Sequence, residues 1–382
     1  MSRKIAIISS HLIQYNAPLF ALMNKEPEID LMVFYTWGEG ALGPKYDPDF
    51  GKEIEWDIPL LDGYNYTFLK NTAKEPGSHH FNGIINPTLN KEIEEWGPDV
   101  VWVWGWSFDS HLKAMRYFKS KVPVWFRGDS TLLDEPKGFS SKKIIRRIFL
   151  KWVYSNIDKA FYVGTHNKAY FKAHGLKENQ LVYAPHAIDN LRFSYDDDLF
   201  QQERVKFKAK HGIDENSTII LYAGKLEPRK NPLFLIELMR NLKSNKFKLI
   251  IVGNGPLLSA LKRELKNDKR VIFSDFVNQK WMPNLYKLAH FFILPSLSET
   301  WGLALNEALA SGTPIIASDK CGGAIDLINQ SNGYLFNCKS IDFNDLGRWM
   351  ENFNLHQFIT RNTIFFQRFS YEQFVKQVIC NL

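Results

Sequence analysis

Cysteine is scarce in this chain: three in 382 residues, Cys321, Cys338 and Cys380, widely spaced. That spacing fits no disulfide framework and no zinc-ligand pattern. Long apolar runs are missing too, so nothing reaches the roughly 20 residues that cross a bilayer. The opening MSRKIAIISSHLIQYN places Arg3 and Lys4 ahead of a short apolar stretch that His11, Gln14 and Asn16 soon interrupt. It reads as a first β-strand rather than a signal peptide, and the expected location is the cytoplasm. There is no internal repeat and no low-complexity tract. No G-x-G-x-x-G follows the first strand, which removes support for a nicotinamide or flavin dehydrogenase. The ten histidines, His79 and His80 among them, lack metal-ligand spacing. Asp196–Asp198 imitates a D-x-D metal motif but has no buried strand before it, and reads as a solvated acid run in a linker. The expectation is therefore no metal and no cofactor. Net charge is +7, which favours anionic partners. Nucleic acid is set aside because neither an aromatic-basic groove nor a reading helix is evident.

Hydrophobic residues make up 45% of the chain and charged residues 23%, a soluble globular composition long enough for two domains. Continuous apolar, β-branched runs alternate with helical patterns. Strands are predicted at 4–10, 29–37, 99–105, 122–129, 159–165 and 181–185, then at 218–224, 247–253, 271–273, 291–296 and 314–318. Continuous rather than alternating hydrophobicity implies strands covered on both faces, hence parallel sheets with crossover helices. The polar, acidic stretch 193–202 marks a domain boundary. The fold class is α/β, with two doubly wound Rossmann-like domains facing across a cleft. Domain one covers 1–195 and domain two 196–365, with a last helix near 366–382 packing back on the first. Ligands of such sheets bind outside the carboxyl ends of the strands.

Three stretches of the second half carry chemistry. In Pro295-Ser-Leu-Ser-Glu-Thr-Trp-Gly-Leu303, a strand ends and Gly302 opens a helix that stops at Ser311-Gly312. Glu299 falls in the loop, and Glu307 about one and a half turns into the helix. Between them the first helical N–H groups offer an anion site, and the carboxylates suit sugar hydroxyls. The competing reading makes Glu299 a cap and Glu307 a solvated helix residue. In Tyr222-Ala-Gly-Lys-Leu-Glu-Pro-Arg-Lys-Asn-Pro232, Gly224 permits close approach. Lys225, Arg229 and Lys230 gather cations suited to a diphosphate, and Asn231-Pro232 is expected to cap and open a helix. Ile250-Ile-Val-Gly-Asn-Gly-Pro256 ends a third strand in a glycine turn at Gly253 and Asn254.

These stretches, with SNGYLF at 331–336 and APHAIDNLRF at 184–193, resemble in order and spacing the glycosyltransferase family 4 enzymes of the GT-B fold. The resemblance covers nearly all of the second domain. It implies retaining transfer of a sugar from a nucleotide-sugar donor to a glycan or lipid-linked acceptor, as in cell-surface polysaccharide synthesis. Carried over, Glu299 lies near the donor sugar as a catalytic candidate, and Glu307 binds the ribose. Lys225 and Lys230 hold the diphosphate, with Lys225 standing where many members have arginine. Gly302 and Leu303 offer backbone N–H groups. Gly224, Gly253, Asn254, Thr300 and Trp301 complete the donor-binding set. A GT-B epimerase or hydrolase, or a non-catalytic subunit binding nucleotide-sugar or glycan, are the alternatives.

The first half departs from that pattern. Ser9–Pro18 lacks the family's Gly-Gly loop, and Asn16 or the nearby backbone stands in. Arg127-Gly-Asp-Ser130 replaces a histidine-bearing loop, so Asp129 becomes a second catalytic candidate, with Arg127 either lining the site or pairing with Asp129. Trp102, Trp104 and Trp106 alternate along a strand and read as core, with Trp106 near its end the one kept as a site candidate. In 141–154, Lys143, Arg147 and Lys151 share a helical face with Lys142 and Arg146 on its edge. That pattern is either an ordinary surface helix or a cationic strip for an anionic membrane surface.

Overall fold

The computed structural model describes residues 2–43, 45–47, 52–135, 138, 140–355, 358 and 367–382. The chain divides into two compact units, Met1–Gly43 with Ile58–His186 and Tyr371–Leu382, and Pro44–Asp57 with Ala187–Ser370. The strands run β1 (Arg3–Ser9), β2 (Ile29–Tyr35), β3 (Lys45–Asp47), β4 (Lys52–Ile54), β5 (Asn65–Phe68), β6 (Val100–Trp104), β7 (Val124–Arg127), β8 (Lys159–Tyr162) and β9 (Leu181–Tyr183). Then follow β10 (Thr218–Ala223), β11 (Phe247–Val252), β12 (Val271–Ser274), β13 (Phe291–Leu294), β14 (Ile315–Ser318) and β15 (Gly333–Phe336).

The first unit is a parallel sheet in the order β5-β2-β1-β6-β7-β8-β9. Ile5, Ala6, Ile7 and Ile8 of β1 are wholly buried, as a strand covered on both faces requires. The edge strand β5, Asn-Tyr-Thr-Phe, is half exposed and lacks a continuous apolar run, so its sequence does not announce it. The helix Tyr371–Ile379 belongs to this unit. Phe374 stacks on Trp102 with centroids 5.8 Å apart, and the Tyr371 hydroxyl donates to the Tyr15 carbonyl at 2.9 Å. The expected boundary at 365/366 lies outside the described residues. Trp102 and Trp104, two apart on β6, both meet Phe374 from one face, while Trp106 packs edge-on against Phe149.

The helix Ser141–Tyr154 forms as its pattern predicts, but its cations are arranged differently. Lys143 and Arg147 turn toward the buried Glu135 carboxylate, at 3.2 and 3.3 Å. The outward face instead carries Ile145 and Ile148, 67% and 66% exposed. Leu150, Val153 and Tyr154 are buried on the side of the helix that meets the body, and there Lys143 and Arg147 compensate a carboxylate that would be costly to bury unpaired.

The second unit is a parallel sheet in the order β12-β11-β10-β13-β14-β15. The antiparallel pair β3–β4 falls in this unit, far from it in sequence. Just beyond β4, the Glu55 carbonyl accepts from Asn278 Nδ2 at 2.6 Å and Asp57 Oδ1 accepts from the Lys280 N–H at 3.1 Å. The acid run 196–198 is not simply solvated. Asp196 forms a forked pair with Arg204, 2.9 Å on each arm, and Asp197 caps the helix Asp198–Lys210 by accepting from the Phe200 N–H. Both are standard uses of aspartate at a helix start. No described helix is long and apolar enough to cross a membrane.

Candidate active site

Strand order in the second unit reverses between β10 and β13, the neighbours from which the sheet winds both ways. A parallel sheet opens a crevice at the carboxyl ends of such a pair. The loops leaving those two ends are the basic loop 224–231 and the acid loop 295–302, so the topology brings together what the sequence holds seventy residues apart.

The two loops are bonded to each other. The Leu297 N–H donates to the Arg229 carbonyl at 2.8 Å, and Asn231 Nδ2 donates to the Pro295 carbonyl at 3.2 Å. Lys230 Nζ forms an ion pair with Glu299 Oε2, both side chains largely shielded from solvent. Asn231 does not cap a helix as predicted. It closes the 3-10 turn Pro228–Lys230 in the left-handed region (φ 53°), and the following helix starts at Phe234. Asparagine tolerates that conformation better than other side chains, and its amide remains available for the cross-loop bond. Arg229 is exposed and meets Glu227 at 3.2 Å. Lys225 is half-buried, and its carbonyl accepts from the Tyr222 hydroxyl at 2.9 Å.

The glycine turns let the loops approach. A Cβ on Gly253, at φ 130°, would sit 2.1 Å from the Gly224 carbonyl oxygen. The neighbouring Asn254 carbonyl accepts from the Leu226 N–H at 2.9 Å. Gly302, at φ 95° and ψ 62°, turns the chain into the helix Leu303–Ala310, and no side chain caps that helix start. Its first turn therefore presents backbone donors and the positive end of the helix dipole. The acid loop is also fixed from behind: Glu299 N–H donates to the Lys320 carbonyl at 3.1 Å and its own carbonyl accepts from Gly322 at 2.9 Å. Beneath it lies Cys321, whose thiol burial pushes up to about 12.

Glu307 is only 4% exposed, which overturns the reading of a solvated helix residue. The Tyr286 hydroxyl donates to its Oε2 at 2.7 Å. Trp301 is 2% exposed; its Nε1–H donates to Asn306 Oδ1 at 2.8 Å and its ring faces Phe369. Its side chain braces the loop, and only its backbone borders the turn. Thr300 is exposed and Leu303 half-buried. Among the described residues no group of three or more His, Cys, Asp or Glu could hold a metal ion.

In the first unit, Arg127 does not pair with Asp129. Its guanidinium donates to the Ala184 and Pro185 carbonyls at 3.1 and 3.3 Å and lies over the rings of Phe374 and Trp104. Burial disfavours its charge, and Asp129 acts in the opposite sense. Arg127 thus ties β7 to the segment after β9. Asp129 instead faces His186 Nε2 at 3.8 Å, with His186 the more buried. Burial lowers the affinity of His186 for a proton, and Asp129 partly restores it. Asn16 is half-buried at the start of the helix Ala17–Met23, and its side chain makes no cap bond. Sequence reasoning missed Tyr286 and His186. Nothing local distinguishes Tyr286 from a core tyrosine, whereas His186 stands inside the quoted APHAIDNLRF.

Along its whole length the chain is similar in structure to HepE of Anabaena, solved in complex with UDP and glucose. The TM-score is 0.69 at 17% identity, with 99% of each chain covered. The fold is GT-B. Residues 203–373 match the family model described as Glycosyl transferases group 1. An uncharacterized glycosyltransferase of Methanocaldococcus jannaschii is 28% identical over 196 residues, 49% of this chain and 50% of that one. The UDP-Gal:alpha-D-GlcNAc-diphosphoundecaprenol alpha-1,3-galactosyltransferase of Escherichia coli is 33% identical over 139 residues, 34% of this chain and 35% of that one. The matched stretches thus span half or less of these relatives' lengths. Within the GT-B frame the residues matched by the family model fall almost wholly in the second unit and include both the basic and the acid loop.

Proposed function

We propose that this protein is a retaining, metal-independent glycosyltransferase of family 4 that takes a nucleotide-sugar donor in its second unit. One observation carries the reading. The Lys230–Glu299 pair and the buried Glu307 flank an uncapped helix start at the β10/β13 switch point. Lys225, Lys230 and the N–H groups at Gly302 and Leu303 would receive the diphosphate, with the glycine turn at Gly224, Gly253 and Asn254 beside it. Glu307, oriented by Tyr286, would accept hydrogen bonds from the ribose. Glu299 would face the donor sugar once the diphosphate draws Lys230 away.

In the reaction, the bond from the anomeric carbon to the diphosphate oxygen breaks and its electron pair stays on the diphosphate. The acceptor hydroxyl oxygen forms the new bond on the same face and passes its proton to the departing diphosphate oxygen. Charge builds on the leaving oxygen, where fixed cations and a helix start stabilise it as a metal does elsewhere. UDP-sugars are the first donors to try, because HepE was solved with UDP and glucose. The diphosphoundecaprenol substrate in the E. coli relative's name supports a lipid-linked or glycan acceptor. The free thiols Cys321, Cys338 and Cys380 suit a cytoplasmic setting.

The test is incubation with a UDP-sugar panel, with and without a diphosphoundecaprenol-linked acceptor and in the presence of a chelator. Acceptor-dependent product with the donor's anomeric configuration is expected. Free sugar released equally without acceptor would point to a hydrolase, and inversion would overturn retention.

A further inference from the structure

The helix Ser141–Tyr154 leaves an apolar face uncovered. Leu150, Val153 and Tyr154 pack inward. On the opposite side Ile145, Ile148, Phe149 and Trp152 recur at helical spacing, joined by Ile144, and each is more than 40% exposed. Isolated exposed apolar residues need no explanation, but isoleucine is among the most buried residue types, and five large apolar side chains on one helix face form a patch.

The surroundings of that patch have one sign of charge. The helix carries five cations and no carboxylate. Lys143 and Arg147 are directed to Glu135, on the body side. Lys142 and Arg146 border the apolar face on one side and Lys151 on the other, all three exposed. Arg116, from the helix Asp109–Phe118, lies over the Trp152 ring at 5.4 Å. An apolar ridge with a tryptophan, framed by cations, is complementary to a bilayer surface: acyl chains for the isoleucines and anionic headgroups for the frame. A hydrophobic protein partner would not call for a frame of uniform sign.

We propose that this face docks the protein on anionic lipid, with Ile145, Ile148 and Trp152 entering the interface and Lys142, Arg146 and Lys151 at headgroup level. The contact differs from a cationic strip: apolar insertion sets the affinity and charge sets the lipid preference. It is independent of the donor site.

The experiment is sedimentation of the full chain with vesicles of phosphatidylcholine alone or with phosphatidylglycerol, at low and high salt. Wild type should bind the phosphatidylglycerol vesicles and keep part of that binding at high salt. Ile145→Ser with Ile148→Ser should lose binding about tenfold or more at every salt concentration. Lys142→Gln with Arg146→Gln should lose only the low-salt preference for phosphatidylglycerol. Thermal stabilisation by UDP should be the same in all of them, which separates failure of docking from failure of the donor reading. Equal sedimentation of wild type and the double serine variant would overturn the proposal. So would a wild-type dimer in light scattering that the serine variant converts to monomer, since the face would then join two copies of this chain.

Discussion

Replacing Tyr286 by phenylalanine removes one hydroxyl and leaves the ring. The ring's packing, edge-on to Phe292 at 5.2 Å and to Phe193 at 6.0 Å, survives the change. What is lost is the 2.7 Å donation to Glu307 Oε2, a bond to a carboxylate 96% shielded within the unit. Hydrogen bonds to charged groups contribute about 1.5–3 kcal/mol. If the bond's role is to hold Glu307 ready for a ribose, that energy appears in donor affinity, a loss of about 10–150-fold at ~1.4 kcal/mol per factor of ten. If the pair is only structural, the same energy appears in folding. A unit of this size shifts by ~2–4 °C per kcal/mol, so the melting temperature would fall by about 3–12 °C. Calorimetric titration with UDP and a thermal melt of the same sample separate the two. The expected outcome is UDP affinity at least about tenfold weaker with a melting shift at or below ~3 °C. Unchanged affinity with the full thermal loss would refute the assignment of Glu307 to the donor.

Gly253→Ala should cost roughly 3 kcal/mol or more in a urea titration, because its Cβ would meet the Gly224 carbonyl oxygen at 2.1 Å. Gly212→Ala, also left-handed but with open space around it, should cost only about 1 kcal/mol. Asp129→Asn should lower the transfer rate while the melting temperature barely moves, since that side chain is 43% exposed; a destabilised but fully active variant would mark the His186 pair as structural. Acid sensitivity should centre on His111, which is wholly buried, with Nδ1 on the Gly105 carbonyl and Nε2 on the Thr36 hydroxyl at 2.7 Å each. Burial lowers it to about 4, so below about 6.5 the unfolded chain takes up the proton first. Stability is therefore full above about 6.5 and falls toward 4 by up to about 3 kcal/mol. His111→Asn should flatten that limb of the pH–stability curve, leaving the smaller contributions of His174, His186, His211 and His290, which burial also lowers.

Both sheets were legible because their central strands are continuous apolar runs, as in Ile5–Ile8 and Leu249–Val252, which only two-sided burial explains. The basic and acid loops were legible as motifs, and the β10/β13 switch supplies the reason they meet. The features that escaped depend on partners outside the local motif, from eight to more than fifty residues away. Glu307 looks solvated until Tyr286 arrives from another helix. Arg127 looks like Asp129's partner until the carbonyls of Ala184 and Pro185 claim it. Lys143 and Arg147 look like surface charges until Glu135 draws them in. The β3–β4 pair sits in the second unit through contacts no local pattern encodes.

On the proposed reading, the second unit receives a nucleoside diphosphate between Lys230 and Glu307. The most direct test of that reading is a thermal-shift series with UDP, ADP and GDP on wild type and on Lys230→Ala with Glu307→Ala. Ligand at a hundredfold over its Kd stabilises the folded state by about 2.7 kcal/mol, a shift of several degrees. That shift is expected for at least one diphosphate in wild type and should be lost in the double variant. No shift with any of the three, or an equal shift in the double variant, would contradict the reading.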